Sequence, residues 1–451
     1  MKLFARSDHT VSSAVLALGL ACLLGMAGSA AFAQQRPTIV IEGARGDGYR
    51  AAVQRFAVDG GAQTAAAEIH VALREGLEFS SLFQIIDEKA FLEPIRSPQL
   101  AGAGTPKCQN WSQIGGDVLV QGQVFTTPEG VRVEFRLWDV TACRALIRGK
   151  RFTGRPQHAR RLGHAIADEI VGAIAGRPGV SDTELAFVSD RTGHKEIWVM
   201  DADGANQRAA TRNKSISNFP NWSPDGNSVV YTSYRYRNRP WLFLVARGSG
   251  SPGRILRNLP LDYRLYRGVW NPDGETLSLV MTTEGASEIY SATPKGEWLT
   301  NVSGNRAIDV SPAHSPDGKQ MAFVSDRTGS PQVYVMDSNG SNVRRLTFDG
   351  NYNTAPAWSP DGRWIAYETR VRSQFDIWLI DPSGRSNGPL ITHTRSDENP
   401  TWSPDSSKLA FTSTRRGRAD IYVVDIDGSN LRRLTETGEN TGPNWGPYRG
   451  R

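Results

Sequence analysis

Apolar residues in the second half of the chain fall in short consecutive runs and do not alternate with polar residues. Examples are residues 321–324, 333–336 and 409–411. A strand with apolar side chains at consecutive positions has both of its faces covered. Gly, Asp, Asn and Ser bound each run, and these residues favour turns. The pattern therefore predicts short strands that are joined by tight turns and covered on both faces by neighbouring sheets.

The runs belong to a repeated unit that opens with an aromatic or histidine residue, then Ser or Asn, Pro, Asp and a small residue. Full openings begin at Trp222, Trp270, His314, Trp358 and Trp402, and a shortened one runs from Trp445 to Pro447. Their prolines are spaced by 48, 44, 44, 44 and 43 residues, a period typical of propellers and solenoids. Each unit holds four predicted strands, which make one propeller blade.

The two ends of the repeat region complement each other. The first copy, 184–211, lacks the opening, whereas the last, 443–447, is an opening with nothing after it. If the C-terminal segment supplies the innermost strand of the first blade, the ring closes without a free sheet edge. We therefore predict a mainly β protein with a six-bladed β-propeller over residues 177–451, closed by a C-terminal strand at 443–448.

Residues 34–176 lack the repeat and are predicted to form a smaller N-terminal α/β domain. One helix is expected at 64–83, where Ile69, Leu73 and Leu77 recur every fourth residue, and a second at 157–175. The expected strands are 38–41, 84–86, 117–125, 131–140 and 145–152.

Residues 1–33 have the composition of a cleaved signal peptide. Lys2 and Arg6 precede an apolar stretch at 11–26, and Ala31 and Ala33 present small side chains to signal peptidase. Cys22, inside the apolar stretch, leaves a lipid anchor as a minor alternative. No later stretch has the roughly 18 apolar residues of a membrane helix, so the mature chain is expected outside the cytoplasm without a transmembrane segment.

Export changes how the two cysteines of the mature chain are interpreted. An even number of cysteines in an oxidising compartment favours a disulfide between Cys108 and Cys143. The alternative is two unpaired buried thiols.

Composition and charge exclude few functions. The sequence is 39% hydrophobic and 22% charged, which is ordinary for a globular protein. Without the signal peptide it has 50 basic and 45 acidic side chains. Nucleic-acid binding needs a larger, clustered excess of positive charge, so we expect no nucleic-acid partner, while an acidic partner stays open.

No motif in the sequence indicates catalysis, a cofactor or a metal. There is no nucleophile elbow, zinc-binding His-Glu-x-x-His helix, Walker loop or dinucleotide fingerprint. The repeated Asp residues of the openings are explained as turn chemistry, and the repeated Trp residues as packing between blades. The histidines of the mature chain are scattered rather than at ligand spacing; they are His70, His158, His164, His194, His314 and His393.

The least repetitive parts of the units are the loops that lead into the innermost strands. Blade geometry brings these loops together at one mouth of the central channel. They mix Tyr, Arg and Asn with acids, which suits recognition of a polypeptide; the alternative is that they are merely solvated. The loops are 217–220, 263–267, 305–309, 351–354, 395–399 and 439–441.

The order of signal peptide, small α/β domain and six blades closed by Pro443-Asn444-Trp445-Gly446-Pro447 resembles the TolB family of periplasmic propeller proteins of the Tol-Pal system. The resemblance covers the whole mature chain. It implies a monomeric, non-catalytic periplasmic adaptor that binds the peptidoglycan-associated lipoprotein Pal at the propeller mouth and TolA through the mature N-terminus. Such an adaptor maintains outer-membrane integrity and supports constriction of that membrane at cell division.

The resemblance also implies which residues of this chain make the two contacts. The TolA segment is Gln34, Gln35, Arg36, Pro37, Thr38 and Ile39. The Pal surface comprises the mouth residues Asn218, Phe219, Tyr263, Tyr266, Arg267, Arg306, Asp309, Tyr352, Asn353, Asp397, Glu398, Asn399 and Asn440.

The competing hypothesis is an exported propeller hydrolase, lactonase-like or peptidase-related. Such an enzyme requires acids or histidines that converge inside the channel, or a bound metal. Its candidate acids at the mouth are Asp309, Asp397 and Glu398.

Overall fold

The structure, a computed structural model, describes residues 48–93, 105–260, 262–283 and 286–449. The expected signal peptide, the expected strand at 38–41 and the expected TolA segment at 34–39 lie outside these residues. None of the described helices is long and apolar enough to span a bilayer.

The N-terminal region is an α/β unit built on one mixed sheet. Its elements are β1 (Tyr49–Val53), β2 (Ala57–Asp59), α1 (Gln63–Phe79), β3 (Phe83–Ile85), α2 (Cys108–Gln113), β4 (Val118–Thr127), β5 (Gly130–Asp139), β6 (Arg144–Gly154) and α3 (Ala159–Ala175), with short 3-10 helices at Glu88–Ala90 and Pro156–His158. The strand order is β3-β1-β4-β5-β6, and β2 pairs with β4.

Helices α1 and α3 cover one face of this sheet through the apolar stripes that the sequence predicts. Ile69, Leu73, Ile166 and Ile170 are completely buried between the helices and the strands. The expected helix at 64–83 is wrong in its last four residues, because α1 ends at Phe79 and Ser81 adopts a φ of 63°. A left-handed residue cannot continue a right-handed helix, and Phe83 begins β3 instead.

The opposite face of the sheet carries a smaller core around α2. Trp111 packs there with Leu119 and Trp138. Cys108 and Cys143, the two cysteines expected to pair, are joined by a disulfide, with 5.7 Å between their Cα atoms. This bond fastens the six-residue helix α2 to the turn between β5 and β6.

The rest of the chain is a six-bladed propeller, as predicted. The strands of blade 1 are β7 (Glu184–Ser189), β8 (Glu196–Asp201) and β9 (Arg208–Ala209) with β30 (Asn440–Trp445); of blade 2, β10 (Ser217–Trp222), β11 (Ser228–Tyr236), β12 (Arg239–Ala246) and β13 (Gly253–Arg254); of blade 3, β14 (Arg264–Trp270), β15 (Leu277–Thr283), β16 (Ala286–Ala292) and β17 (Leu299–Asn301). Those of blade 4 are β18 (Asp309–His314), β19 (Gln320–Ser325), β20 (Gln332–Asp337) and β21 (Arg344–Arg345); of blade 5, β22 (Asn353–Trp358), β23 (Ile365–Val371), β24 (Gln374–Ile380) and β25 (Asn387–Ile391); of blade 6, β26 (Asp397–Trp402), β27 (Lys408–Ser413), β28 (Asp420–Asp425) and β29 (Arg432–Arg433).

The C-terminal strand closes the ring in the way that the two incomplete repeats predict. Blade 1 has the order β30-β7-β8-β9, so its innermost strand comes from the end of the chain. This strand starts and ends three residues before the expected 443–448. The seam continues beyond it: Trp445 Nε1 donates to Thr183 Oγ1 at 2.8 Å, and the Arg449 guanidinium lies 2.6 Å from Glu184 Oε1.

The repeated Asp residues bond within their own turns, which agrees with their interpretation as turn chemistry. In blade 5 the Ser359 hydroxyl donates to Asp361 at 2.6 Å, and the Arg363 backbone N–H donates to the same carboxylate at 3.1 Å. Equivalent bonds hold Asp317 and Asp405. These turns lie at the end of the channel where the innermost strands finish.

The α/β unit contacts this same end of the propeller. Arg177 pairs with Asp405, and Lys408 Nζ lies 3.1 Å from the hydroxyl of Ser81. Arg160 pairs with Asp203, which lies in the turn between β8 and β9. The opposite end of the channel, where the innermost strands begin, is called the mouth below.

Candidate functional site

The central channel is a cavity of about 640 Å³ lined by the innermost strands of all six blades. Among the predicted mouth residues, Asn218, Phe219, Arg267 and Asn399 line it. Most of its other lining residues follow these positions in the innermost strands or stand in the turns after them, so the four predicted residues lie at the mouth end of the cavity.

Every innermost strand contains a β-bulge at the same level of the channel. In blade 5, for example, Thr354 pairs with Glu368 and Ala357 with Ala366, so that two residues oppose one. The first residue of each bulge has a positive φ between 47° and 57°; these residues, called the bulge ring below, are Phe219, Arg267, Ser311, Ala355, Asn399 and Gly442. Five of the six are not glycine, although side chains disfavour this conformation.

Side chains of neighbouring blades hold three of these bulges. The backbone N–H of Arg267 donates to Thr232 Oγ1 at 2.9 Å, and that of Gly442 donates to Thr412 Oγ1 at 2.9 Å. The N–H of Asn399 donates instead to a carboxylate, Glu368 Oε1, at 2.6 Å. The acceptor in each case sits on the second strand of the preceding blade, so that the bulge ring also joins adjacent blades.

The bulge ring carries one cation. The Arg267 side chain lies over the Phe219 ring, 5.3 Å from its centroid, and its Nη1 donates to Ser311 Oγ at 2.8 Å. Burial lowers the pKa of the guanidinium, and the negative charge of Glu368 offsets part of that effect. The described residues place no carboxylate oxygen within 4.0 Å of it.

Glu368, on β23, is the acid that holds the bulge residue Asn399. It is 5% exposed and accepts bonds from both the backbone N–H and the side-chain amide of Asn399. Burial raises the pKa of this carboxyl to about 7, with a further upward contribution from Glu398 and a downward one from Arg267. The pKa of Glu398 is also raised, chiefly by burial.

Four of the predicted Pal residues are fully buried, and their side chains bond within their own blade or to the preceding one. Asp309 pairs with Arg327 at 3.1 Å, and Asp397 pairs with Arg415 at 2.9 Å. Asn440 accepts from Arg191 at 2.9 Å, and Asn353 donates to Gln332 at 2.8 Å. These side chains do not reach the surface in this structure, so that Asp309 and Asp397 do not converge on an open catalytic site either.

The remaining predicted residues lie around the mouth. Tyr352 packs edge-on against Phe375 at 5.8 Å, and Arg306 is exposed. Tyr266 and Glu398 are partly exposed. Tyr263 lines a separate cavity of about 730 Å³ beside Met281 and Tyr290 of blade 3.

Sequence reasoning missed an apolar rim at the mouth. Ile216, Phe219, Ile308 and Phe348 are 47%, 41%, 49% and 71% exposed, and all stand just before or at the start of innermost strands. Ile308 lies in the predicted mouth loop 305–309, but of the four only Phe219 was named as a Pal residue. The position of Ile216 and Ile308 directly before predicted innermost strands is a signal that could have identified them.

Sequence reasoning also missed Glu368 and the bulge ring. A signal for the ring exists, because a proline follows the bulge residue in five of the six strands. Glu368 had no signal of its own, since it sits in an apolar run of β23.

His314 occupies the place that tryptophan holds in the other five blades. Both of its ring nitrogens are buried without a hydrogen-bond partner, and burial lowers the pKa of the imidazole to about 4. The nearby Asp273 only partly opposes this shift. The residue is a packing substitute for the tryptophan of the other blades.

One group among the described residues has the composition of a metal site. Oxygen or nitrogen atoms of Glu75, His164 and Asp203 lie within 4.8 Å of one another where the α/β unit meets blade 1. Arg160 already pairs with both carboxylates. The positive charge between the two carboxylates is therefore supplied by the Arg160 side chain, and the group is explained as an ion-pair network.

Both parts of the chain match family models. Residues 171–449 match the model described as the TolB beta propeller domain, and residues 37–146 match the TolB amino-terminal domain. Two similar curated proteins are each called "Tol-Pal system protein TolB". The one from Anaeromyxobacter sp. (strain K) is 35% identical over 301 residues, which span 66% of this chain and 66% of that protein. The one from Desulfosudis oleivorans is 37% identical over 226 residues, half of each chain.

A solved structure shares the fold. The crystal structure of TolB from Acinetobacter baumannii superimposes with a TM-score of 0.75 and covers 89% of this chain and 97% of its own, at 24% identity.

Proposed function

Because this chain belongs to the TolB family, we propose that it acts as a non-catalytic component of the Tol-Pal system in the periplasm. In this role it is an adaptor that binds the lipoprotein Pal at the propeller mouth and TolA through residues 34–39 of the mature N-terminus. The adaptor maintains outer-membrane integrity and supports constriction of that membrane at cell division.

The observation that carries the proposal is the contrast between the two ends of the channel. The α/β unit contacts the end where the innermost strands finish, whereas the mouth presents the exposed apolar rim Ile216, Phe219, Ile308 and Phe348. Exposed apolar side chains that surround a cavity and are mixed with polar groups are typical of protein-binding sites. A rigid ring of blades also presents its loops with a smaller loss of conformational entropy on binding than flexible loops would have.

The arrangement of ionisable groups supports an adaptor rather than a hydrolase. Asp309 and Asp397 each form a buried ion pair with an arginine. His314 lies at the other end of the channel from Glu368. A nucleophile, a base and an orienting group within hydrogen-bond reach, as hydrolysis needs, are not brought together in the described part of the channel.

Replacing the most exposed rim side chain tests the Pal contact. Phe348→Ala should weaken binding of the soluble domain of Pal by about tenfold or more, as loss of a large aromatic contact at an interface does. The melting temperature should stay nearly unchanged, because Phe348 is 71% exposed. Isothermal titration calorimetry gives the affinity and a thermal melt gives the stability.

Val343→Ala is the matched control. Val343 is 37% exposed and lies on the same blade but at the opposite end, next to β21. It should leave Pal binding unchanged. Absence of any complex between the unmodified mature protein and Pal would refute the proposed function. In the same assay, deletion of residues 34–39 should remove TolA binding and keep Pal binding.

A further inference from the structure

Arg267 stands out because its charge is less well matched than that of comparable arginines in the propeller. Arg327 and Arg415 each face a fully buried aspartate at about 3 Å. Arg267 is held in the channel wall by the hydroxyl of Ser311 and the face of Phe219. A guanidinium offers five N–H donors, so a hydroxyl leaves most of its capacity unused.

Arg267 borders the channel cavity at its mouth end. Phe219, at the same level of the bulge ring and stacked on Arg267, is 41% exposed, and both residues line the channel cavity. A planar guanidinium held by stacking has the geometry to receive both oxygens of a carboxylate. Both residues lie at the mouth end of this cavity of about 640 Å³, most of whose other lining residues follow them towards the end where the innermost strands finish.

The protonation state of Glu368 determines how strongly the site around Arg267 attracts such a carboxylate. Its ionised form attracts Arg267 and repels an incoming negative charge, whereas its protonated form does neither. The charged groups that act on it are Arg267 of β14 and Glu398 of β26, and its cross-strand neighbours Thr354 of β22 and Ile377 of β24 are neutral. Asn399, also of β26, is held to it by hydrogen bonds in either state.

We propose that Arg267 receives an acidic side chain of the protein that binds the mouth, and that forming this pair takes up a proton at Glu368. The inference rests on the proposed function, because the carboxylate belongs to the bound partner. The proton comes from solvent and forms the O–H bond of the Glu368 carboxyl, and no other bond is made or broken. The complex then has one cation, Arg267, and one anion, the partner's carboxylate, because Glu368 has become neutral.

The sign of the pH effect follows from the free protein. The pKa of Glu368 is about 7 before binding, and a second carboxylate nearby raises it further. Below about pH 6 the group is already protonated, so affinity is highest and nearly independent of pH. Above pH 7 each complex must take up a proton, and affinity falls by up to about tenfold per pH unit.

The test is calorimetry of the mature chain with the soluble domain of Pal at pH 6, 7 and 8, in buffers of different ionisation enthalpy. We expect proton uptake that is near zero at pH 6 and approaches one proton per complex at pH 8. Glu368→Gln, which keeps the acceptor for Asn399, should remove the uptake and flatten the pH dependence. Arg267→Gln should weaken binding by about tenfold or more, the size expected for a charged hydrogen bond.

Two controls separate the possible outcomes. Glu436→Gln changes an acid whose side chain is 81% exposed and should leave proton uptake as in the unmodified protein. Arg267→Lys keeps the positive charge but loses the two parallel N–H donors of the guanidinium, so it should bind with intermediate affinity. It serves as the test variant if Arg267→Gln does not fold. Sodium succinate at matched ionic strength should give no Arg267-dependent heat, because we assign the site to the partner's acid and not to a free one.

The results distinguish this inference from the function on which it rests. If no variant binds Pal, the proposed function fails. If Pal binds without proton uptake and Arg267→Gln binds as tightly as the unmodified protein, only the acid-binding role of Arg267 is overturned. Strong Arg267-dependent binding of succinate would likewise overturn it in favour of a small-acid site.

Discussion

At the scale of single residues, His314 shows how one substitution in a repeat creates a pH-sensitive position. A buried imidazole without hydrogen bonds is stable only when neutral, since burial penalises the charged form. The pKa of His314 falls from its usual 6.5 to about 4 in the folded protein. Between these two values the unfolded chain binds more protons than the folded one, so stability is full above about pH 6.5 and is lost as pH falls towards 4.

Replacement of this side chain should remove that sensitivity. When pH falls from 7 to 4.5, His314→Phe is expected to lose about 2 kcal/mol less stability than the unmodified protein, because no proton binds at the site. Urea denaturation at the two pH values measures the difference. Parallel losses in both proteins would mean that His314 is not the group responsible.

At the scale of elements, three blades use one device to fix the innermost strand. An arginine two residues after a serine donates Nε to that serine and lies over two neighbouring aromatic rings, while its Nη2 reaches the first residue of the innermost strand. Arg191, Arg327 and Arg415 do this, with Asn440, Asp309 and Asp397 as their acceptors. Each innermost strand is thereby tied to the hairpin beside it.

This buried arginine contact should stabilise the fold by more than a surface ion pair does. Arg327→Ala leaves the fully buried Asp309 carboxylate without its cation, so we expect a loss of about 3 kcal/mol in the free energy of unfolding. Adding Asp309→Asn should restore at least about half of it, because the unpaired charge is removed.

Arg363→Ala is the control for this series. Arg363 pairs with Asp361 on the surface and its side chain is 69% exposed, so the loss should be below about 0.5 kcal/mol. Equal losses for Arg327→Ala and Arg363→Ala would contradict the structural role of the device.

Sequence alone could predict elements where the repeat or a helical period was long enough. The apolar stripes of α1 and α3 and the four-strand units met that condition. Strands β1 and β2 and helix α2 were missed because they are three to six residues long, too short for a period to show. The bulge ring was missed because a left-handed Phe219 or Arg267 depends on neighbouring strands and not on its own propensity.

Part of the candidate site was predictable for the same reason. The repeat fixed which loops meet at the mouth, and therefore Phe219, Arg267 and Asn399 were found. It could not show that Asp309, Asn353, Asp397 and Asn440 point into the blades, because the side-chain direction at a strand start depends on a partner elsewhere in the sequence. The boundary between the two domains at 176–177 stays a prediction; α3 ends at Ala175 and β7 begins at Glu184.

At the scale of the whole molecule, the ring depends on its last residues. Deletion of 443–451 removes the last three of the six residues of β30, the bond from Trp445 to Thr183 and the contacts of Arg449 with Asp182, Glu184 and Asp201. The propeller should then lose cooperative unfolding, because an open ring exposes the edges of blades 1 and 6. Differential scanning calorimetry detects this as a broadened or missing transition.

Deletion of only residues 450–451 is the matched truncation. It leaves Arg449 and the seam in place and should melt like the full chain. A protein lacking 443–451 that unfolds in one sharp transition would show that closure does not depend on this strand.

The seam has a consequence for biosynthesis. Among the described strands β30 is the last to be synthesised, so the inner edge of β7 waits unpaired until Asn440–Trp445 has been made. Until then the nascent polypeptide keeps an unfinished sheet that chaperones and proteases can engage. A reporter fused after Arg451 would begin only six residues after β30. A spacer at that point is needed so that β30 can pair with β7.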